Sequence, residues 1–297
     1  MFHSGELDVQ RRAGVSGEAA RLAGMLDPSL LDGGPAKFLA QRRFATITGR
    51  DRTGSLWISP LLGSAGFLAG HGSTLDVGAA PATADPLHAL PVGQQVGVLA
   101  VEFAIRRRMR VNGLLTEVGP ERLRVEVEQA FGNCPSYIQQ RLVEPVEAAE
   151  PVTAAESDAL DSAALAMIRA ADTFFLGTAH PTRGADASHK GGRPGFVRVD
   201  GSQLWWPDYA GNNLFNSMGN IAVNPEAALL FVDFGTGRSL HLSGRAELEW
   251  VAPGSAGDDG DTGRRVRFTP ERVVAMTALP LRAVGVHPSP YNPPLAA

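Results

Sequence analysis

The sequence has few lysines, one cysteine, no excess of positive charge and no long hydrophobic run. Among the 27 basic residues only Lys37 and Lys190 are lysines. The formal net charge is −4, with 31 acidic side chains against 27 basic ones, so we expect no broad basic surface for nucleic acid. The single Cys134 excludes an internal disulfide and a thiolate metal cluster.

The first residues do not resemble a signal peptide, and the interior has no candidate membrane span. Residues 1–15 are polar and lack the apolar segment that a signal peptide needs. The longest apolar stretches, such as Val96 to Ile105, are far shorter than the roughly 20 residues that cross a bilayer. We therefore expect a soluble, cytoplasmic protein that binds neither membrane nor nucleic acid.

The two halves of the chain follow the same order of motifs. The pairs Gly66-Phe67 and Gly195-Phe196 lie 129 residues apart, and Gly113 and Gly244 lie 131 residues apart. Two landmarks so nearly in phase predict a duplicated unit. The predicted organisation is an N-terminal entry segment with a helix at residues 1–34, a first unit at 35–145, a linker rich in Pro, Ala and acidic residues at 146–160, and a second unit at 161–297.

Short runs of strand-forming residues, bounded by Gly, Pro or Asp, recur in both units. They are typical of antiparallel strands that close into a barrel. Only residues 17–25, 36–43 and 160–171 form windows suited to helices, whereas a parallel α/β fold would alternate such helices with its strands. The sequence therefore predicts a mostly β fold with a few peripheral helices.

The densest group of binding side chains lies in the segment from Ser188 to Val197 (SHKGGRPGFV). Its three glycines allow the backbone to approach a ligand closely. Ser188, Lys190 and Arg193 add a hydroxyl and two cations, which are the donors that a phosphate prefers. The residues alone leave two interpretations open: a phosphate-binding loop, or a Gly-rich hairpin turn with solvated charges.

A second polar group follows directly after it. Asn213, Asn216, Ser217 and Asn220 are spaced almost as on one helical face, and Asn212 or Asn213 is a suitable N-cap. The N-terminus of such a helix favours a phosphate, because its free N–H groups and the helix dipole attract negative charge. A capped polar surface helix is the alternative interpretation.

Together these segments resemble the pyridoxamine 5′-phosphate oxidase-like FMN-binding split-barrel proteins. The resemblance covers about residues 162–250, through SHKGGRPGFV, DYAGNNLFNSMGNIAVNP and the strands LLFVDF and LHLSGRA. The segments GNCPSYIQQR at 132–141 and FHSGELDVQ at 2–10 resemble a closing motif and an entry segment of that group. The resemblance implies two tandem split β-barrels, of which the first is degenerate and the second carries the main flavin-site motifs.

The resemblance also implies where FMN would bind, namely at the interface between two barrels. The residues it implies around the cofactor are Ser188, Lys190, Gly191, Asn213, Asn216 and Ser217. Arg107 and Arg238, at matching positions of the two halves, would complete the phosphate shell. The arginine-rich run at residues 106–110 has two interpretations, a solvated sheet edge or an anion-binding surface.

The implied activity is that of an FMN-dependent oxidoreductase, which passes hydride or electrons between a reductant such as a nicotinamide and an unidentified small substrate. His189 is the candidate catalytic residue, because a histidine titrates near neutral pH. The RxVLLK and SRK patterns of true pyridoxamine phosphate oxidases are absent, so pyridoxamine phosphate is not the expected substrate.

Several alternatives stay open from the sequence. One is an F420-dependent reductase on the same fold. Another is a non-catalytic flavin-binding or haem-binding protein, with His189 or His241 as the ligand of the haem iron, although an apolar strand around His241 favours a core or interface position. No metal site is expected, because the other histidines are scattered. The two barrels can pair within one chain, and a further homodimer is compatible with the sequence.

Overall fold

The computed structural model describes residues 1–26, 30–146, 152–277 and 279–296. Its helices are short and lie outside the sheets: α1 (Ser4–Arg12), α2 (Ser16–Leu22), a 3-10 turn (Ala23–Leu26), α3 (Gly34–Ala40), α4 (Ser162–Ala170) and α5 (Asn216–Val223). Within the described ranges, each helix is too short to cross a bilayer.

The first half of the chain forms a seven-stranded antiparallel sheet with the strand order β2-β1-β5-β6-β7-β4-β3. Its strands are β1 (Phe44–Arg50), β2 (Leu56–Leu62), β3 (Leu68–His71), β4 (Thr74–Val77), β5 (Gln95–Glu102), β6 (Arg107–Gly119) and β7 (Arg122–Gly132). After it comes β8 (Gln140–Pro145), which belongs to a separate pair of strands.

The second half forms a sheet whose main path has the order β11-β10-β14-β15-β16-β13-β12, so it repeats the order of the first sheet strand for strand. Its strands are β9 (Ala154–Ser157), β10 (Thr173–His180), β11 (Gly184–Gly191), β12 (Arg198–Asp200), β13 (Gln203–Pro207), β14 (Glu226–Asp233), β15 (Arg238–Trp250) and β16 (Arg264–Met276). The predicted mostly β fold with two split barrels is confirmed.

The two glycines that marked the repeat lie at the same irregularity in each sheet. The register between β6 and β7 shifts at Gly113, and the register between β15 and β16 shifts at Gly244. A Cβ on Gly113 would lie 2.0 Å from a backbone oxygen of β7, and one on Gly244 would lie 2.2 Å from a backbone oxygen of β16. Only glycine fits these bulges, since a side chain would push the paired strands apart.

Each barrel encloses its own hydrophobic core, and a third apolar cluster lies between the barrels. Trp57 belongs to the first core and Trp206 to the second, and both side chains are fully buried. The cluster between the barrels contains Phe44 and Phe175, whose ring centroids are 5.4 Å apart. Burial of these aromatic side chains from both halves stabilises the pairing of the two barrels within one chain.

Segments outside the two barrels tie the halves together. The strand β17 (Leu281–His287) pairs with β8, so the end of the chain joins the close of the first half. Helix α1 packs on α5 of the second barrel. The predicted linker at 146–160 lies partly outside the described residues, and its end, β9, pairs with β16. The predicted domain boundaries themselves stay predictions.

Candidate functional site

A cleft of about 800 Å³, counted with its open mouth, lies where the two barrels meet. The first barrel contributes side chains of β6 and of the segment at 133–137 that follows β7. The second barrel contributes the end of β11, the end of β13 and residues 208–218, which include the first turn of α5. Both halves of the chain are therefore needed to form the walls of this cleft.

Three cations converge on the cleft. Lys190 lies near the end of β11, and Arg108 and Arg110 lie two residues apart on β6, so they share one face of that strand. Burial lowers the pKa of Lys190, and its contact with Asp208, at 3.5 Å between Nζ and Oδ1, only partly offsets that effect. Asp208 also accepts from Arg264 Nε at 3.0 Å. The positive charge in the cleft therefore favours an anionic ligand.

Arg108 determines which nitrogen of His189 carries the proton. Its Nη1 lies 3.0 Å from Nδ1 of His189 and 3.1 Å from the carbonyl oxygen of the same residue. A guanidinium can only donate, so Nδ1 accepts and the ring proton lies on Nε2. Burial, and then the charges of Arg108 and other cations nearby, holds the pKa of His189 well below its ordinary value.

This geometry corrects the expectation that His189 exchanges protons near neutral pH. A buried imidazole with a strongly lowered pKa stays neutral under those conditions and has no second proton to give. Its Nε2 is buried and has no hydrogen-bond partner among the described residues. His189 therefore supplies an uncharged N–H donor rather than an acid with a pKa near 7.

Arg110 is held by a buried acid that also orients the first turn of α5. Its Nη1 donates to both carboxylate oxygens of Asp186, each at 2.9 Å. Ser217 Oγ donates to Oδ2 of Asp186 at 2.7 Å. Asp186 is 2% exposed, so these charge-assisted bonds lie away from solvent and fix the side chains on the wall of the cleft.

The loop that leads into α5 has an unusual backbone. Asn213 and Phe215 both have φ of 59°, a left-handed conformation that residues other than glycine seldom adopt. Phe215 is the N-cap residue, and no side chain caps the helix there. The predicted cap at Asn212 or Asn213 is therefore wrong: Asn212 Oδ1 accepts instead from the backbone N–H of Leu214, at 3.2 Å. The start of α5 faces the cleft without a capping side chain.

Close approach of the two halves also requires a glycine at the cleft. A Cβ on Gly191 would lie 2.0 Å from the carbonyl oxygen of Tyr137, which belongs to the first half of the chain. Tyr137 itself has φ of 65°, and its hydroxyl donates to the carbonyl oxygen of Ala210 at 2.9 Å. Gly191 therefore allows the segment around Tyr137 to cross the end of β11 and close one side of the cleft.

Five buried polar atoms of the residues that line the cleft have no hydrogen-bond partner among the described residues. They are Arg108 Nε, Arg110 Nε, His189 Nε2, Trp206 Nε1 and Asn133 Oδ1. Buried polar groups are nearly always paired in folded proteins, so such a concentration of unpaired ones indicates a bound molecule. The three cations suit an anionic group, and the unpaired N–H donors suit polar acceptor atoms of a ligand.

The structure brings most of the predicted site residues together. The residues of that set that line the cleft are His189, Lys190, Gly191, Asn213, Asn216 and Ser217. Ser188 is not among the residues that line it: its side chain is fully buried, and its hydroxyl has no hydrogen-bond partner among the described residues.

Two predicted phosphate ligands lie elsewhere. Arg107 precedes Arg108 on β6, so its side chain is on the other face of the strand; it lines a cleft near α3, which Arg108 also borders, and not the cleft between the barrels. Arg238 lines a cleft beside α4. Neither residue therefore lines the cleft between the barrels, and the arginines that line it are Arg108 and Arg110.

The sequence contains a signal for these arginines. The run at residues 106–110 is an anion-binding candidate by its charge, and the alternation of the strand selects Arg108 and Arg110 from it. Trp206 is fully buried in the second core and also borders the cleft, and its indole Nε1 has no hydrogen-bond partner among the described residues. The sequence does not indicate that Asp186 belongs to the site, because its role depends on a contact with Arg110 from the other barrel.

Comparison with known proteins finds a family match within the second half of the chain. Residues 160–256 match the family model described as pyridoxamine 5′-phosphate oxidase. This match contains Lys190, Trp206 and the first turn of α5, which together form the second barrel's side of the cleft. No curated protein matches the chain.

Similar solved structures correspond to less than half of the chain. A candidate pyridoxamine 5′-phosphate oxidase from Lactobacillus delbrueckii is 16% identical, with a TM-score of 0.33, covering 39% of this chain and 94% of its own. Another from Corynebacterium glutamicum is 17% identical, with a TM-score of 0.30, and the match covers 43% of this chain and 100% of the other. A FAD-binding protein from Mesorhizobium loti is 14% identical, with a TM-score of 0.30, and the match covers 42% of this chain and 99% of the other.

Residues 160–256 are thus similar to the pyridoxamine 5′-phosphate oxidase family, which confirms the resemblance that their motifs predicted.

Proposed function

We propose that this protein is a flavin-dependent oxidoreductase that binds FMN in the cleft between its two barrels. The observation that carries the proposal is the convergence of Lys190, Arg108 and Arg110 with unpaired buried donors in one cleft. Such a cleft is suited to a ligand with one anionic group and one polar ring edge. The match of residues 160–256 to the oxidase family supports the same ligand class.

The residues divide into two groups by chemistry. Lys190 and Arg108 are the proposed phosphate ligands, because both are cations whose charge the protein leaves partly uncompensated. Asn216 and Ser217, on the first turn of α5, are the proposed contacts of the polar ring edge. When bound, the flavin supplies the capacity to accept and donate hydride or single electrons.

Haem is the less favoured of the alternative ligands. A haem ligand needs a free imidazole nitrogen, and in His241 both ring nitrogens are hydrogen-bonded, to Ile58 O at 3.2 Å and to Ser239 Oγ at 3.1 Å. In His189 the Nδ1 accepts from Arg108, so Nε2 carries the ring proton and has no lone pair for the iron. F420 carries a phosphate as well, so it competes with FMN for the same cations in this proposal.

The proposed reaction partners are a reductant, such as a nicotinamide, and a small substrate. Because both walls of the cleft come from one chain, a homodimer is not required to complete the cofactor site. The cytoplasm, where reduced nicotinamides are available, is the proposed location.

Titration of the purified full-length protein with FMN tests the proposal. We expect quenching of flavin fluorescence with a dissociation constant below about 10 µM. F420 and haem are titrated in parallel, with haem followed by its Soret band. A protein that leaves FMN fluorescence unchanged, or that binds only F420 or haem, overturns the proposal. Oxidation of a reduced nicotinamide by the loaded protein then tests the enzymatic part.

A further inference from the structure

Helix α1 lies directly behind the cleft, against α5. A Cβ on Gly5 would lie 2.2 Å from the carbonyl oxygen of Gly219, and one on Gly219 would lie 2.6 Å from the backbone nitrogen of Glu6. The two helix backbones are therefore in contact, which only glycines at both positions allow. This contact places the side chain of Glu6 against the first turn of α5, where it is 4% exposed.

The carboxylate of Glu6 accepts two hydrogen bonds, one from the N-cap of α1 and one from α5. Its Oε2 accepts from the backbone N–H of His3 at 2.8 Å, as part of a capping box at the start of α1. Its Oε1 accepts from Nδ2 of Asn216 at 2.6 Å, across 210 residues of sequence. His3 adds a second link, since its Nε2 lies 3.1 Å from Oδ1 of Asn220 on the same helix α5.

The bond from Asn216 to Glu6 determines which end of the amide is free. An ionised carboxylate can only accept, so the NH₂ group of Asn216 must face Glu6. Its Oδ1 takes no hydrogen bond from any described residue, and Asn216 lines the cleft. The neighbouring Ser217 donates its own hydroxyl proton to Asp186, so its oxygen also has acceptor capacity left. The first turn of α5 therefore offers hydrogen-bond acceptors.

We propose that Glu6 is a positioning residue that holds Asn216 as a hydrogen-bond acceptor, so that the cleft selects a ligand that presents an N–H group to α5. This inference rests on the proposed function, since the imide N–H of a flavin ring is such a group. Glu6 does not touch the ligand itself and acts only through Asn216. A helix from the N-terminal segment, outside both barrels, thereby determines part of the specificity of the cleft.

Protonation of Glu6 would remove this orientation. Burial raises the pKa of Glu6 to about 7, against the lowering effect of its bonds to His3 and Asn216. The other charged groups that face it are Asp186, which raises its pKa, and Arg183, which lowers it, while His180 lies against the ring of His3. Above about pH 7 the ionised carboxylate holds the amide. Below that pH a protonated Glu6 can donate to the Asn216 oxygen, and the amide is then free to turn its NH₂ toward the ligand.

Riboflavin is the probe for this inference, because it lacks the phosphate whose own ionisation would change over the same pH range. Its affinity for the full-length protein is measured by fluorescence quenching between about pH 5.5 and pH 8.5. We expect the wild type to lose about tenfold in affinity as the pH falls through about 7, the equivalent of one well-formed hydrogen bond. Glu6→Gln should bind more weakly than the wild type at the upper pH, because a single amide cannot accept from both His3 and Asn216. Its affinity should not change with pH.

Two further variants make the result decisive. Glu18→Gln, on the exposed face of α2, removes one carboxylate away from the cleft and should keep the pH profile of the wild type. Asn216→Ala should lose the pH dependence together with the acceptor, and it answers the question if Glu6→Gln does not fold. The inference is overturned if Glu6→Gln or Asn216→Ala keeps the wild-type profile, or if the wild type binds riboflavin equally at all pH values. A wild type that binds neither riboflavin nor FMN at any pH contradicts the proposed function instead.

Discussion

The pair of barrels has two regions that lie on equivalent strands, namely the cleft and a matching region on the other side. They differ in whether their polar groups find hydrogen-bond partners within the chain. The register of the paired strands defines which positions match. The matched pairs are Leu61 with Lys190, Ser239 with Arg108, and His241 with Arg110. We call the region around Ser239 and His241 the counterpart region. It has no lysine or arginine at these three positions.

In the counterpart region, buried polar side chains form hydrogen bonds with one another and with the backbone. His241 donates from Nδ1 to the carbonyl oxygen of Ile58 at 3.2 Å and accepts at Nε2 from Ser239 at 3.1 Å. Ser59 donates to the buried Asp85 at 2.5 Å, and His241 Nε2 lies 4.0 Å from the other oxygen of that carboxylate. Burial raises the pKa of Asp85 and lowers the pKa of His241. These groups are fixed by one another and by the backbone.

The difference between the cleft and the counterpart region shows which part of a repeated fold is able to bind a ligand. The two barrels share strand order and bulge position, so the backbone alone does not distinguish the two regions. What distinguishes them is the supply of partners: the cleft holds Arg108 Nε and Trp206 Nε1 without partners, whereas His241 is satisfied at both nitrogens. We infer that the counterpart region serves stability and the cleft serves the ligand, and substitutions in the two regions should separate these roles.

The largest effect is expected from His241→Ala in the counterpart region. The substitution leaves a cavity and deprives Ser239 and Ile58 of a buried partner, so the free energy of unfolding should fall by about 3 kcal/mol. Urea denaturation measures this, with the exposed His71→Ala as the control, for which a change within about 0.5 kcal/mol is expected. The affinity of the folded protein for FMN should be unchanged. Weaker FMN binding without a loss of stability would reverse the assignment of the two regions.

Next in size is Lys190→Leu, which gives the cleft the residue that its counterpart has. Loss of a buried cation from the proposed phosphate position should weaken FMN binding about 100-fold, while riboflavin binding changes much less. The matched control is Lys37→Leu, since Lys37 on α3 is the only other lysine of the chain. Equal losses for FMN and riboflavin would show that Lys190 does not contact the phosphate.

A smaller effect is expected from Arg108→Ser, the residue of the counterpart region. FMN affinity should fall about tenfold, because Lys190 and Arg110 remain. The neighbouring Arg107→Ser removes the same charge from the other face of β6 and should leave FMN affinity unchanged. Since Arg108 lowers the pKa of His189, its loss should also raise that pKa, which NMR titration of the imidazole detects. Equal effects of the two arginine variants would indicate a general charge effect and no specific contact.

Parts of the site that depend on local sequence were predictable. Lys190 and Gly191 lie in one Gly-rich segment, and Asn216 and Ser217 lie on one short helix, so the spacing of the residues was sufficient. The repeat was visible from Gly113 and its partner, because a bulge that admits only glycine leaves the same residue in both halves. The mostly β fold followed from the short strand-like runs.

Other parts depend on geometry that residue types do not record. Arg108 lines the cleft and Arg107 does not, because the two residues lie on opposite faces of β6. A shift of one residue in the strand would exchange the two faces. The neutral state of His189 results from burial and from Arg108, which belongs to the other barrel. The contact of Glu6 with Asn216 joins residues 210 positions apart, and only the packing of α1 on α5 reveals it.

The pairing of the two barrels within one chain has a consequence for how binding depends on dilution. In a site assembled from two separate chains, the protein must associate before the ligand can bind, so affinity falls when the protein is dilute. Here the walls from β6 and β11 are covalently joined and form together when the chain folds. Ligand capture should therefore be independent of protein concentration, even at the low copy numbers of a sparsely expressed protein.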